Sequence, residues 1–264
     1  MSREHLRTTF DTVAVDYQRA RPDYPAGLYA DLLTMTGIEP PANLLEVGCG
    51  PGKATIPLAR LGFRITAVEL GAALAEEARR ELRDFPAVSV VTAPFETWRP
   101  RDVAPFDLLY AATAWKWVDP RLKYDRAAAL LPSGGHLAVW DAQHAFPEDF
   151  DPFFTEIQRV YDEMGEGDGA AWPPPTPEEQ PDPTAAEFED SGLFTVVGTR
   201  RHVWAREYTA EEYIALLDTF SGHIAMQASK REHLYGEVRR LLAVRPDGRL
   251  TRHWLAILTV GRRL

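Results

Sequence analysis

The stretch Leu44-Leu45-Glu46-Val47-Gly48-Cys49-Gly50-Pro51-Gly52-Lys53-Ala54-Thr55 constrains this fold more than any other. A short apolar run meets an acid, passes three alternate glycines and resumes with helical spacing, the pattern of a buried strand turning sharply into a helix. With no Cβ at Gly48, Gly50 and Gly52 the chain can take positive φ values, and backbone N–H groups can closely approach a bound molecule. Such a turn is a ligand cradle.

Nicotinamide, flavin and S-adenosylmethionine (SAM) proteins all place glycines in a first βα turn, so the glycines alone do not choose among them. Glu46 does. Just before the turn, an acid opposes a pyrophosphate and favours the cationic amino-acid and sulfonium end of SAM. A second acid, Glu69, closes the next apolar run about twenty residues beyond the turn, where a doubly wound nucleotide site places its acceptor for ribose hydroxyls.

The chain has 264 residues, room for one large α/β domain with an elaboration or two modest ones. Its net charge of -10 opposes a nucleic-acid partner, and Arg200-Arg201 and Arg262-Arg263 are pairs too short to form a binding stripe. The single Cys49 excludes an intrachain disulfide and stands in no metal-ligand constellation, so no metal is expected. Without a signal-like start or a membrane-length apolar run, the expectation is a soluble cytoplasmic protein. The sequence does not fix the oligomeric state.

Along the chain, Ser2 to Ala20 and Leu28 to Met35 have helical spacing, separated by the break Arg21-Pro22-Asp23-Tyr24-Pro25. Strands are expected at Asn43 to Val47, Arg64 to Glu69, Val88 to Val91, Phe106 to Ala112 and His136 to Asp141. Helices over Ala54 to Leu61, Gly71 to Leu82 and Asp125 to Leu131 lie between them. From Phe146 to Pro183 this alternation stops. Phe153, Phe154, Ile157, Val160, Tyr161 and Met164 fit one helical face, and Gly165 to Pro183 is acidic and rich in glycine and proline, an inserted cap with a mobile loop. After a helix over Thr184 to Asp190, strands over Phe194 to Arg206 and Arg249 to Val260 flank helices at Thr209 to Thr219 and Lys230 to Leu242, with the last strand antiparallel. The parts are an N-terminal helical lid (1–42), a cofactor-binding core (43–145), the cap and loop (146–191) and a C-terminal part of the core (192–264) with lid helices at 209–242.

Ligands on open parallel sheets collect outside the carboxyl ends of the strands. That places Ala93, Phe95 and Glu96 beside an adenine, and Ala114-Trp115-Lys116-Trp117-Val118-Asp119-Pro120 where methyl donor and acceptor meet. Tryptophan rings there can attract a sulfonium by a cation–π contact, with Trp117 the candidate; a pair of core tryptophans is the alternative. His144, just past strand five, lies on the same side and is the candidate general base.

Taken together, the chain resembles the class I SAM-dependent methyltransferases, most closely a bacterial subgroup of small-molecule enzymes with the methyltransferase type 11 domain. The resemblance rests on Phe10 to Tyr17, Arg21 to Tyr24 and Pro25, Leu45 to Thr55, Ala114 to Pro120 and Tyr208 to Ser221. It implies a Rossmann-like, seven-stranded α/β sheet with helices on both faces and an inserted cap. It also implies SAM held by Tyr17, Arg21, Glu46, Gly48, Cys49, Gly50, Gly52, Glu69, Leu70, Phe95, Glu96, Ala112, Thr113 and Trp117. Similar proteins often carry His at the position of Lys116, so a base role there would require a buried lysine. Trp117, Tyr24, Phe220 and the cap would shape an acceptor pocket, with His144 or Lys116 as base. The expected reaction transfers a methyl group from SAM to a small-molecule, partly aromatic secondary metabolite, leaving S-adenosylhomocysteine (SAH). An NAD-dependent oxidoreductase and a non-catalytic SAM-binding regulatory protein are the competing readings.

Overall fold

The structure is a computed structural model that describes residues 20–100, 105–167, 169 and 171–264. The expected first helix and Tyr17 lie outside the described residues. Helix α1 (Ala26–Thr36) starts after Pro25, where a preset φ suits a helix entry, and ends at Gly37, whose left-handed φ of 64° lets its N–H cap the Leu33 carbonyl. There follow β1 (Asn43–Val47), α2 (Thr55–Arg60), β2 (Arg64–Glu69), α3 (Ala72–Glu81), β3 (Val88–Thr92) and β4 (Leu108–Ala112). After a single 3₁₀ turn at Trp115–Trp117 come α4 (Lys123–Leu130), β5 (His136–Trp140) and β6 (Gln143–Ala145). The remainder is α5 (Phe153–Glu163), α6 (Pro183–Asp190), β7 (Phe194–Thr209), α7 (Ala210–Leu217), α8 (Ser221–Ala225), α9 (Ala228–Ala243) and β8 (Arg249–Arg263).

Strands β3, β2, β1, β4 and β5 are parallel, and β8 joins β5 antiparallel as expected. Strand β6 has no counterpart in the sequence reading. It continues β5 along the same edge of β8: Val139 lies opposite Thr259 and, four residues on, Gln143 lies opposite Leu255. The sheet therefore has seven lines of strand, one of them interrupted, with β7 on the far side of β8. The break has a local cause, because Thr113 at the end of β4 donates its N–H to the Trp140 carbonyl and its hydroxyl accepts from the Ala142 N–H.

Alternation along the strands divides the core by face. Leu44, Leu108, Tyr110, Ala138 and Trp140 pack with α1 and α2, whereas Leu45, Val47, Leu109, Leu137 and Val139 pack towards α4 and α6. Helix α1 falls in the segment expected to form a lid, yet Leu28 and Leu32 are fully buried against the sheet. It is a core helix.

The hairpin β7–β8 runs well past the carboxyl ends of the parallel strands and carries a second core. Phe153, Phe154 and Ile157 of α5 pack there with Tyr213 and Leu217 of α7, Leu234 and Val238 of α9, and Leu250 and Trp254 of β8. Helix α7 begins in a reciprocal cap, with the Thr209 hydroxyl accepting from the Glu212 N–H and the Glu212 carboxylate accepting from the Thr209 N–H. Arg245 donates to both oxygens of Asp151, at 3.0 and 2.6 Å, pinning the entry to α5 against the β8 turn. The expected cap and the 209–242 helices thus share one core, over the strand ends where ligands collect.

Candidate active site

The turn after β1 has the backbone its glycines foretell: φ is 69° at Gly48, 54° at Gly50 and 95° at Gly52. Their reasons differ. A Cβ on Gly48 would lie 2.5 Å from the Ala114 Cβ, and one on Gly52 would press Leu82 at 3.2 Å, so these two allow close packing. A Cβ on Gly50 would meet nothing within 4 Å; the space above it is open. Gly50 and Gly48 line a cavity of about 430 Å³, within the range of small-molecule sites.

Glu69 closes β2 at the cavity wall. Its carboxylate accepts from the N–H of Gly50 and of Gly71, each at 2.8 Å, so the acid fixes the cradle's shape as well as its charge. Glu46 is fully buried behind the turn. Its Oε2 accepts from the Thr55 hydroxyl at 2.5 Å and the Tyr110 hydroxyl at 2.7 Å, while its Oε1 has no hydrogen-bond partner among the described residues. Burial pushes this carboxyl up to about 7, against both hydrogen bonds, and the neighbouring Glu69 charge adds to the rise.

The cavity runs from the cradle past Leu70, Phe95 and Val118 to Trp117, and ends under the cap at His144, Phe220, Ser221 and Arg252. Arg21, Ala112, Thr113 and Lys116 also line it. Glu46, Cys49 and Tyr24 instead line a recess of about 40 Å³ that shares Arg21, Gly48, Gly50 and Thr113 with the main cavity. Gly52 and Glu96 line neither. Gly52 packs the helix, and Glu96 accepts from the Asp119 N–H at 3.2 Å, tying the loop after β3 to the loop after β4. Cys49 is buried and burial raises its thiol well above the ordinary range, so it packs and does not react.

At the acceptor end, the structure separates the two tryptophans. Trp115 is buried against Phe95 and Tyr124, whereas Trp117 faces the cavity. Lys116 is half exposed and pairs with Asp141 at 3.2 Å, without the burial that a lysine base needs. The Tyr24 hydroxyl shares a 2.8 Å hydrogen bond with the Thr113 hydroxyl, and its ring stands edge-on to Trp140, so it braces the wall between recess and cavity. Thr113 holds a φ of 61°, the one positive φ among described non-glycine residues. Bonds to Tyr24, Trp140 and Ala142 hold it in this unfavourable region, a kind of strain that clusters at functional sites.

His144 is wedged between Phe146 and Phe154, with ring centroids 4.0 and 4.3 Å away, and its Nε2 has no partner among the described residues. Burial, helped by the charges of Arg252 and His253, holds its imidazole well below the usual range, so the ring is neutral. Sequence reading missed Arg252. The signal was present: on the alternating face Leu250, Arg252, Trp254, Ala256, Leu258, Val260, it is the one charged side chain, and all six are buried.

Residues 45–139 match the family model of the methyltransferase domain, and they span the cradle, Glu69 and the tryptophan turn. Over that stretch the chain is a methyltransferase domain. A solved structure from Anaeromyxobacter dehalogenans, provisionally named a type II methyltransferase, superposes with a TM-score of 0.61 at 24% identity, covering 92% of this chain and 97% of that one. An uncharacterized methyltransferase of Mycobacterium tuberculosis is 27% identical over 93% of this chain and 90% of its own length. A trans-aconitate 2-methyltransferase of Paracidovorax citrulli is 35% identical over 130 residues, 46% of this chain and 45% of that one. The chain has no helix among its described residues long and apolar enough to cross a membrane, and those residues hold no cluster of three or more potential metal ligands.

Proposed function

We propose that this methyltransferase transfers the methyl group of SAM to a small, partly aromatic organic molecule bound under the cap. One observation carries the reading: a single cavity joins the glycine cradle to a chamber walled by Trp117, His144 and Phe220. The residues present suit SAM. Open space above Gly50 admits a nucleoside, Glu69 stands where ribose hydroxyls would be bound, and Leu70, Phe95 and Val118 give an apolar slot for adenine. The unpartnered Glu46 Oε1 gives the recess a negative potential suited to a methionine ammonium, and it opposes a pyrophosphate. Tyr24 and Arg21 belong in this reading to the methionine end.

When bound, SAM supplies an electrophilic methyl carbon on a positively charged sulfur. The chain must hold the acceptor in line with it and exclude water, and orientation of this kind is worth about 7 to 11 kcal/mol of barrier. A positioned base adds roughly 10²- to 10⁴-fold where the acceptor must lose a proton. His144, which lines the cavity, is the candidate base in this reading, although its buried Nε2 and low proton affinity limit the drive, so alignment by Trp117, Phe220 and the cap dominates.

The test is titration calorimetry with SAM and with NAD, followed by mass spectrometry of metabolites incubated with methyl-labelled SAM. SAM binding with label transfer supports the reading. NAD binding without SAM binding points to an oxidoreductase, and SAM binding with no labelled product points to a regulatory protein.

A further inference from the structure

Arg252 occupies β8 inside the cap and is 5% exposed. A guanidinium keeps its proton in a protein, so a full positive charge sits there. Among the described residues its one hydrogen bond is a long one, 3.5 Å from Nη1 to the Tyr213 hydroxyl, and its Nε has none. No carboxylate among those residues pairs with it. Its neighbours are aromatic faces and further basic groups: the guanidinium carbon lies 4.4 Å from the Trp254 ring centroid and 5.3 Å from that of Phe220. Arg21 stacks on the same Phe220 ring at 4.0 Å, anchored by the Thr219 hydroxyl and carbonyl, and its charge opposes that of Arg252. The field of Arg252 also reaches His144 and His223. Asp218, an acid of the same cap, accepts from the Tyr235 hydroxyl and acts on His223.

The cavity is therefore polarised. Glu46 and Glu69 lie at the cradle and Arg252 at the cap end, while Arg21 lines both the recess and the cavity. Burying a charge with no counter-charge among the described residues is costly, and the cost is offset when a ligand brings one. A planar guanidinium fork matches a planar carboxylate with two parallel hydrogen bonds.

We propose that Arg252 anchors a carboxylate of the acceptor, so that the molecule methylated under the cap is a small organic acid. The inference rests on the methyl-transfer reading and narrows its substrate class. Phe220 and Trp117 give the carbon skeleton of that acid an apolar wall, and the acid's charge falls at the end of the cavity away from the cradle.

The experiment uses the full chain loaded with SAH. Benzoate, succinate and propane-1,2,3-tricarboxylate are titrated beside their carboxamides and beside phenyl phosphate, on the native protein and on Arg252→Met and Arg252→Lys. At least one acid should bind while its amide does not. Arg252→Met should weaken that acid by about thirtyfold or more, as truncating one partner of a buried charge pair does, with SAH affinity unchanged. Arg252→Lys should fall between the two and guards against a Met variant that fails to fold. Equal binding of acids and amides, no acid bound at millimolar concentration, or tighter binding of phenyl phosphate than of every acid would overturn the assignment. So would loss of SAH affinity in Arg252→Met, which would put the cofactor's own carboxylate on this arginine. Failure of the native protein to bind SAH at all would count instead against the methyl-transfer reading.

Discussion

The substitution Glu46→Gln separates what the fold needs from this carboxyl and what the ligand needs. The Thr55 and Tyr110 hydroxyls both donate to Oε2, and a glutamine carbonyl can accept from the same two donors while its amide takes the place of the unpartnered Oε1. Burial raises the carboxyl from an ordinary 4.5 to about 7, so the folded protein holds this proton more tightly than the unfolded chain does. The stability it contributes is thus fullest below the unfolded value and is lost as pH rises from 4.5 to about 7. A shift of that size corresponds to about 3 kcal/mol once the group is fully ionised. An amide cannot ionise, so the variant should match the native protein in mildly acidic buffer and exceed it by about 3 kcal/mol near pH 8. SAM affinity should move the other way, falling about tenfold or more near pH 8, because a desolvated charged contact is lost. Urea unfolding at the two pH values reads the first effect and calorimetry the second. A variant less stable than the native protein near pH 8, or one that binds SAM as tightly, would refute the reasoning.

Glu69→Ala removes two charge-assisted bonds to Gly50 and Gly71 and should weaken SAM by on the order of 1 to 3 kcal/mol by calorimetry; unchanged affinity sinks the ribose assignment. Gly48→Ala sets a Cβ against Ala114 at a φ of 69°, costing about 1 to 2 kcal/mol in backbone alone before the clash, and should lower the melting temperature and abolish SAM binding together. His144→Ala should lower turnover more than SAM affinity, and equal rates at saturating acceptor would remove it from the mechanism. Asp151 is pushed up by burial, but bonds from Arg245 and from the N–H groups of Thr251 and Phe153 outweigh that and hold it below the ordinary range. Its stabilising effect is present above the unfolded value and is lost as pH falls through the acid range. Asp151→Asn should cost about 3 kcal/mol at neutral pH and loosen the cap, seen as faster hydrogen exchange in α5.

The cradle was legible because three glycines and two acids stand close together on successive strand ends, where sequence spacing translates directly into position. Trp115 and Trp117 were not separable in the same way, because the 3₁₀ turn that buries one ring and leaves the other at the cavity is set by packing against Phe95 and Tyr124. The acceptor end was harder to read, because it is assembled by chain return. Arg252 reaches the cavity only because β8 comes back antiparallel beside β5 and overshoots it, and nothing local in Arg249 to Val260 announces that overshoot. Thr113 carries a left-handed backbone that no threonine propensity suggests, imposed by three tertiary hydrogen bonds. Helix α1 falls within the 1–42 segment expected to form a lid, yet its buried leucines serve the sheet.

The most direct test of the central claim is a crystal structure of the protein with SAH. The nucleoside should lie over Gly50 with its ribose hydroxyls on the Glu69 carboxylate and its sulfur turned towards Trp117 and the cap. A nucleoside bound elsewhere, or a dinucleotide pyrophosphate seated on the glycine turn in its place, would contradict the account.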